Sequence, residues 1–326
     1  MSNLIPRLRK RYDMTAQNWK SDCHFSKKLA WLRIADDIGG RAHLHTLSNW
    51  AHAKKEKWIL NYLTDLLQPV ILKYRDVDNT GIQEKNAPIW ICWWTGEETA
   101  PPLVRQCIKS IRKNAGNHSV HMITQNNYGD YITIPEFILK KMQNGQMGLA
   151  HFADYLRVSL LEEYGGLWLD ATMFCSREVP EECFSIPFFT CKSRMIKGHY
   201  LSDFQWVTFC LGAWKQNIFY QYMKEAFECY WKVADVAIDY LFFDHLIYLG
   251  KQHIPAVKKY LEAVPINNIH RDDLQAAMNE VLPAEEFWNV VQEDTALYKL
   301  SWRETYTPKT PNGKLSVYGY LLKMEF

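Results

Sequence analysis

The 326-residue chain lacks any run of about eighteen consecutive apolar residues, and its start lacks a basic leader with a short apolar stretch and a cleavage site. It is therefore expected neither to span a membrane nor to leave the cell by the signal-peptide route. Eight cysteines stand at positions 23, 92, 107, 175, 183, 191, 210 and 229, with no Cys-x-x-Cys pair and no histidine at zinc spacing. They read as buried free thiols in a reducing compartment, which points to the cytoplasm. Glycine-rich phosphate loops are missing too: no Gly-x-Gly-x-x-Gly follows the first apolar strand and no Walker pattern occurs, so the signatures of dinucleotide and P-loop proteins are absent. A formal net charge of +2 lacks the one-sided basic excess of a nucleic-acid binder, and no nucleic-acid partner is expected.

Aromatic side chains are plentiful, with 13 Trp, 18 Tyr and 15 Phe. Most must be core, because rings bury area efficiently, but some are available to stack on a base or a pyranose. The hydrophobic share of 48% and charged share of 23% are those of an ordinary globular protein with a substantial core.

The chain is organised around residues 151–172, HFADYLRVSLLEEYGGLWLDAT. Phe152, Leu156 and Leu160 recur at helical spacing, as do Tyr155 and Val158, and the pair Gly165 and Gly166 supplies the left-handed backbone favoured at helix ends. Leu167, Trp168 and Leu169 then read as a buried strand whose last residue is Asp170. A carboxylate at the carboxyl end of a strand in an α/β sheet lies where such sheets bind ligands, so Asp170 is the leading candidate for chemistry. His151, Asp154 and Arg157 fall three residues apart on one helical face, which fits either a surface ion pair or a binding group.

Upstream, residues 14–76 are helical and polar-rich, with Trp58, Tyr62, Leu66 and Ile59, Leu63, Leu67 forming one wide apolar face. His43, His45 and His52 lie there without a carboxylate or thiol to complete a metal set. Residues 77–87 read as a linker. Residues 88–96 form an apolar strand ended by glycine. Thr99, Pro101 and Pro102 open a helix whose stripe is Leu103, Cys107, Ile108 and Ile111 and which Gly116 closes. Residues 119–124 form the next strand. This alternation predicts a parallel sheet with helices on both faces. Farther on, Phe188 and Phe189 predict a strand, residues 204–211 its continuation, and residues 214–250 helices. At the start, Arg7, Arg9, Lys10 and Arg11 beside Leu4, Ile5 and Leu8 are either a foot for an anionic membrane surface or a solvated terminus.

The segments Ala-Asp-Tyr-Leu-Arg and Tyr-Gly-Gly-Leu-Trp-Leu-Asp-Ala-Thr resemble the capsular polysaccharide synthesis protein family. That family is similar in turn to glycosyltransferases with a DXD motif, among them yeast initiating mannosyltransferases and the large clostridial glucosylating toxins. The resemblance is placed over roughly residues 86–326. It implies an α/β fold, a GT-A-type nucleotide-sugar-binding sheet flanked by helices (81–326), and the helical pattern before it reads as an N-terminal helical subdomain (1–80). It also implies transfer of a hexose, with retention, from a nucleotide diphosphate sugar such as a UDP-sugar to a glycan acceptor, lipid-linked or free. The enzyme would be cytoplasmic or peripheral at the inner face of the membrane.

Residue by residue, the resemblance assigns Trp94, or Trp93 beside it, to the base, Asp154 to ribose or sugar hydroxyls, and Arg157 to the diphosphate or sugar. Lys299, Ser301 and Trp302 belong to a segment that folds over the diphosphate, with Pro308, Pro311, Asn312 and Gly313 as a turn behind it. Trp206 and Thr208 shape the sugar pocket, and Asp239 and Asp244 lie towards the acceptor. Asp170 and Thr172 stand at the two carboxylate positions of the DXD motif and would hold a divalent metal, manganese or magnesium. The neutral hydroxyl of Thr172 weakens that expectation, being a poor ligand for a hard cation. Two other classes stay open: a glycoside hydrolase using Asp170 and Asp244, and a non-catalytic scaffold or carbohydrate-binding subunit of an assembly complex.

Overall fold

The computed structural model describes residues 15–16, 18–196, 201–283, 286 and 290–325. The basic cluster Arg7, Arg9, Lys10 and Arg11 lies outside the described residues.

Five strands form the central sheet: β1 (Ile89–Cys92), β2 (Val120–Ile123), β3 (Gly166–Leu169), β5 (Phe188–Thr190) and β6 (Cys210–Ala213), in the order β2-β1-β3-β6-β5. β1 runs parallel to β2 and β3, whereas β6 is antiparallel to both β3 and β5. The sheet is thus mixed rather than parallel, with β6 alone reversed. Alternation of side chains sorts the two faces. Ile89, Ile91, Leu167 and Leu169 pack with Val104, Ile108 and Ile111 of the Pro102–Lys113 helix, while Trp90 and Trp168 pack with Phe152, Leu156 and Leu160 of the Leu149–Tyr164 helix. Helices therefore cover both faces, as expected.

Three local readings differ from the structure. The Pro102–Lys113 helix is closed by Asn114 rather than Gly116: the Asn114 amide bonds to Ser110 and Ile111 carbonyls, and its side chain reaches the Ser110 and Cys175 carbonyls. Strand β6 begins only at Cys210, because Asp203 and Phe204 hold positive φ (46° and 61°), which breaks an extended run from 204. Strand β3 ends at Leu169, so Asp170 is the first residue past it, although its amide still bonds to the Phe209 carbonyl at 2.9 Å. The glycine pair is required as read. Gly166 has φ 93°, and a Cβ there would meet the Pro88 carbonyl oxygen at 2.0 Å, where the Leu167 amide bonds to the same carbonyl.

The helices Lys27–Arg41 and His45–Tyr74 form a hairpin. Ile59, Leu63, Leu67, Val70 and Ile71 of the longer one join the apolar cluster that holds the Leu149–Tyr164 and Ile218–Val233 helices. A second, two-stranded sheet pairs β4 (Met173–Cys175) with β7 (Leu297–Lys299) in antiparallel register, Met173 opposite Lys299. All eight cysteines are free thiols. Among the described residues, no helix is long and apolar enough to cross a membrane.

Candidate functional site

β1 connects to β2 on one side of the sheet, and the chain then crosses to β3 on the other, so the carboxyl ends of β1 and β3 face a topological switch point. Ligands bind in such crevices. A cleft of about 670 Å³ opens there, within the range of about 300–1,000 Å³ common to ligand sites. It is lined by Cys92 at the end of β1 and Trp93 to Thr95 after it, by Asp154 and Arg157 of the Leu149–Tyr164 helix, and by Asp170 to Thr172 after β3. Thr208, Tyr240, Phe243, Asp244 and Lys299 to Arg303 also line it. One cleft thus brings together Trp94, Asp154, Arg157, Asp170, Thr172, Asp244, Lys299, Ser301 and Trp302.

At its floor, Asp170 is held by three donors. Arg157 Nη2 reaches Oδ1 at 3.2 Å, Trp168 Nε1 reaches Oδ1 at 3.0 Å, and Lys299 Nζ reaches Oδ2 at 3.3 Å. Burial alone would raise the Asp170 pKa, but the charges of Lys299 and Arg157 outweigh it and hold the carboxyl below its usual value. Arg157 also donates to Asp154 at 2.9 Å and lies 4.8 Å from the Trp168 ring and 5.3 Å from that of Phe243. Its Nε is buried with no partner. A buried donor without a partner costs free energy.

The donor set does not fit a protein-held divalent cation. Asp170 and Thr172, the two expected ligands, both accept from the Lys299 ammonium, so a cation already stands between them. Among the described residues, no three His, Cys, Asp or Glu side chains converge for a metal.

Asp244 sits in the Phe242–His253 helix and accepts from Trp206 Nε1 at 2.8 Å. Burial raises its pKa to about 6, and the neighbouring Asp154 charge adds to the rise. Next to it, His245 has Nδ1 2.8 Å from the Leu241 carbonyl and Nε2 2.8 Å from Glu56. Both partners accept, so both ring nitrogens donate. Burial opposes that imidazolium, but the Glu56 bond and charge raise the His245 pKa. This pair pins the Asp244 helix to the long N-terminal helix.

An acid whose pKa is raised on folding is penalised only where it must ionise. The penalty is absent below its unfolded value near 4 and complete above about 6. Asp244→Asn keeps an acceptor for Trp206 and is expected to stabilise the protein by roughly 3 kcal/mol at pH 7.5 and by almost nothing at pH 4. Urea unfolding at the two pH values reads this, and an equal effect at both would refute the raised pKa.

Several expectations are redistributed. Asp239 is not in the cleft: it pairs with Arg33 at 2.9 Å and accepts the Leu241 amide at 2.9 Å, which is a structural role. Trp206 is buried behind the wall, acting through Asp244, whereas Thr208 lines the cleft. His151 is buried, with Nδ1 3.8 Å from Asp154. His52 pairs with Asp36 at 3.2 Å. Trp94 stacks on Tyr128 (centroids 5.6 Å apart) with Phe152 edge-on, while Trp93 is edge-to-face with Trp302 at 5.9 Å. Both tryptophans reach the cleft, so Trp93 is not simply core. Tyr240, 74% exposed, and Arg303 were not singled out from the sequence. An aromatic four residues before Asp244 and a base after Trp302 were the available signals.

Fold and cleft define a mixed α/β protein with a cleft lined by charged side chains at the sheet's switch point. The sequence profile of the capsular polysaccharide synthesis protein family matches residues 42–321, and the chain belongs to that family. The match begins well before residue 86 and takes in the His45–Tyr74 helix. The chain is also similar to an O-glycosyltransferase, braB, of Annulohypoxylon truncatum, with 29% identity over 106 residues. That segment covers 30% of this chain and 25% of the relative.

Proposed function

We propose that the protein is a glycosyltransferase that moves a hexose from a nucleotide diphosphate sugar, a UDP-sugar foremost, to a hydroxyl of a surface or capsular glycan precursor, with retention. The observation that carries this reading is the pairing of Arg157 and Lys299 on Asp170 at the end of β3. Both cations converge on the carboxylate at the strand end, so two positively charged donors stand together where a leaving diphosphate would develop charge. Family membership and the O-glycosyltransferase relative support the same class.

In this reading, charge develops on the diphosphate as the sugar leaves, and Arg157 and Lys299 stabilise it from fixed positions. Asp170 holds both cations in place and, with Asp154, accepts from sugar or ribose hydroxyls. Ser301 and Trp302 close over the phosphates, and Asp244 faces the acceptor. No step is assigned to a metal.

The paired environments of Asp170, held low, and Asp244, raised, also match the acid and base of a glycoside hydrolase. Two cations on Asp170 suit an anionic diphosphate better than a neutral glycan. Titrating purified protein with a panel of nucleotide sugars, with and without manganese, and assaying hydrolysis of glycans beside it separates transferase, hydrolase and scaffold. A scaffold binds no nucleotide.

Base recognition is assigned to Trp94. Trp94→Ala is expected to weaken nucleotide binding more than tenfold, since a stacked ring contributes about 1–3 kcal/mol. Trp93→Ala should leave it within a few-fold. The reverse result in calorimetry would put the base between Trp93 and Trp302.

A further inference from the structure

The helical hairpin carries a surface that the cleft does not use. Trp31, Ile38, Leu44 and Trp50 are 63%, 52%, 53% and 53% exposed. Lys27, Trp31 and Ile38 fall on one exposed stripe of the Lys27–Arg41 helix, opposite its buried Leu29, and Lys28 is exposed at the edge of that stripe. Trp50, Lys54 and Lys57 form the exposed stripe of the His45–Tyr74 helix, opposite buried Ile59. Leu44 sits at the tip between them. The two helices meet closely there, since a Cβ on Gly39 would lie 2.6 Å from the Ser48 amide nitrogen.

Charge around this patch is one-sided. The acids near it are paired: Asp22 with Arg33, Asp36 with Lys55, Asp37 with Arg41, and Glu56 with His245, while Asp65, without an ion-pair partner among the described residues, lies about two turns along the helix beyond Lys57. Lys27, Lys28, Lys54 and Lys57 have no ion-pair partner among the described residues. Each helix therefore presents one exposed tryptophan flanked by two uncompensated lysines. Neutral apolar surface would fit many partners, but this combination does not. Indole rings settle at the headgroup level of a bilayer, short apolar side chains reach the acyl boundary, and flanking lysines attract anionic headgroups. The arginines that recognise nucleic-acid phosphates bidentately are here already committed, Arg33 to Asp22 and Asp239 and Arg41 to Asp37.

We propose that this hairpin docks the protein on an anionic lipid surface, with Ile38, Leu44 and the two tryptophans in the interface and the four lysines on the headgroups. The inference is independent of the sugar chemistry. Sedimentation of the full chain with phosphatidylcholine vesicles, with and without phosphatidylglycerol, tests it. Binding is expected to the anionic vesicles only and to fall as salt is raised. Each lysine contributes about fivefold, so Lys27→Ala with Lys28→Ala, or Lys54→Ala with Lys57→Ala, should weaken binding roughly thirtyfold. Trp50→Ala should weaken it several-fold at every salt concentration. Equal binding to neutral vesicles, or lysine variants that bind like the parent, overturns the proposal. So does loss confined to an Arg7, Arg9, Lys10 and Arg11→Ala variant, which would move the contact to the first residues. Sedimentation without vesicles, abolished by Trp50→Ala, would give the face to a second copy instead.

Discussion

Asp170→Asn is expected to reduce sugar transfer by on the order of a thousandfold or more, with nucleotide binding weakened and the fold retained. The amide keeps the size of the carboxylate and an acceptor for Trp168, but it removes the charge that holds Arg157 and Lys299 over the same point. Without that anchor the two cations repel, and neither is fixed where the diphosphate develops charge. Transfer assays with near-ultraviolet circular dichroism separate this from unfolding. Substantial transfer by the variant would remove the end of β3 from the active centre. The carboxyl is held below its usual value, so its contribution to stability is present above an unfolded pKa near 4 and is lost as pH falls through the lower folded value. It stays ionised from pH 5 to 8, and any activity limb near pH 6 belongs to Asp244.

The same geometry sharpens the question of metal. Lys299 bonds to both Asp170 and Thr172, and an ammonium there competes with a divalent ion for the same oxygens. Manganese should therefore bind the free protein weakly. Thr172→Asp should tighten it by supplying a second hard oxygen, and more so when combined with Lys299→Ala. Titration of manganese by calorimetry reads this without any turnover. Tight binding by the parent protein would place the metal back on Asp170.

The sheet was largely legible because its signals are local. Alternating Ile89, Trp90, Ile91 and Leu167, Trp168, Leu169 mark two-sided strands, and Gly165 with Gly166 fixes the turn between helix and strand. The reversal of β6 was not legible. A strand buried on both faces reads alike in either direction, and its late start depends on the left-handed Asp203 and Phe204, which no residue type announces. In the cleft, Asp154, Arg157 and Asp170 were visible because they share one helix-turn-strand unit. Asp239 and Asp244, five residues apart among apolar neighbours, could be told apart only by their partners, Arg33 for the first and Trp206 for the second. Likewise, Lys299 meets Asp170 across 129 residues of chain, through pairing of β4 with β7, and nothing near either residue records the meeting.

Arg157→Lys should lower transfer at least about a hundredfold although the charge is kept. A guanidinium serves Asp154 and Asp170 with separate nitrogens while it rests against Trp168 and Phe243, and its Nε is buried without a partner. Lysine offers one compact head on a flexible stem. It can satisfy one carboxylate or reach a phosphate, but it cannot bridge both and still present a fixed donor. The loss is expected mainly in kcat, because a positioned charge matters most when the diphosphate has become most negative. Arg157→Ala should cost stability as well, since it takes the cation from Asp154, leaves Asp170 with Lys299 and Trp168 alone, and opens a space where Arg157 was 6% exposed. Comparing the two variants divides the roles. If Arg157→Lys turns over like the parent while Arg157→Ala only unfolds more easily, the pair with Asp154 is structural and Lys299 alone meets the diphosphate.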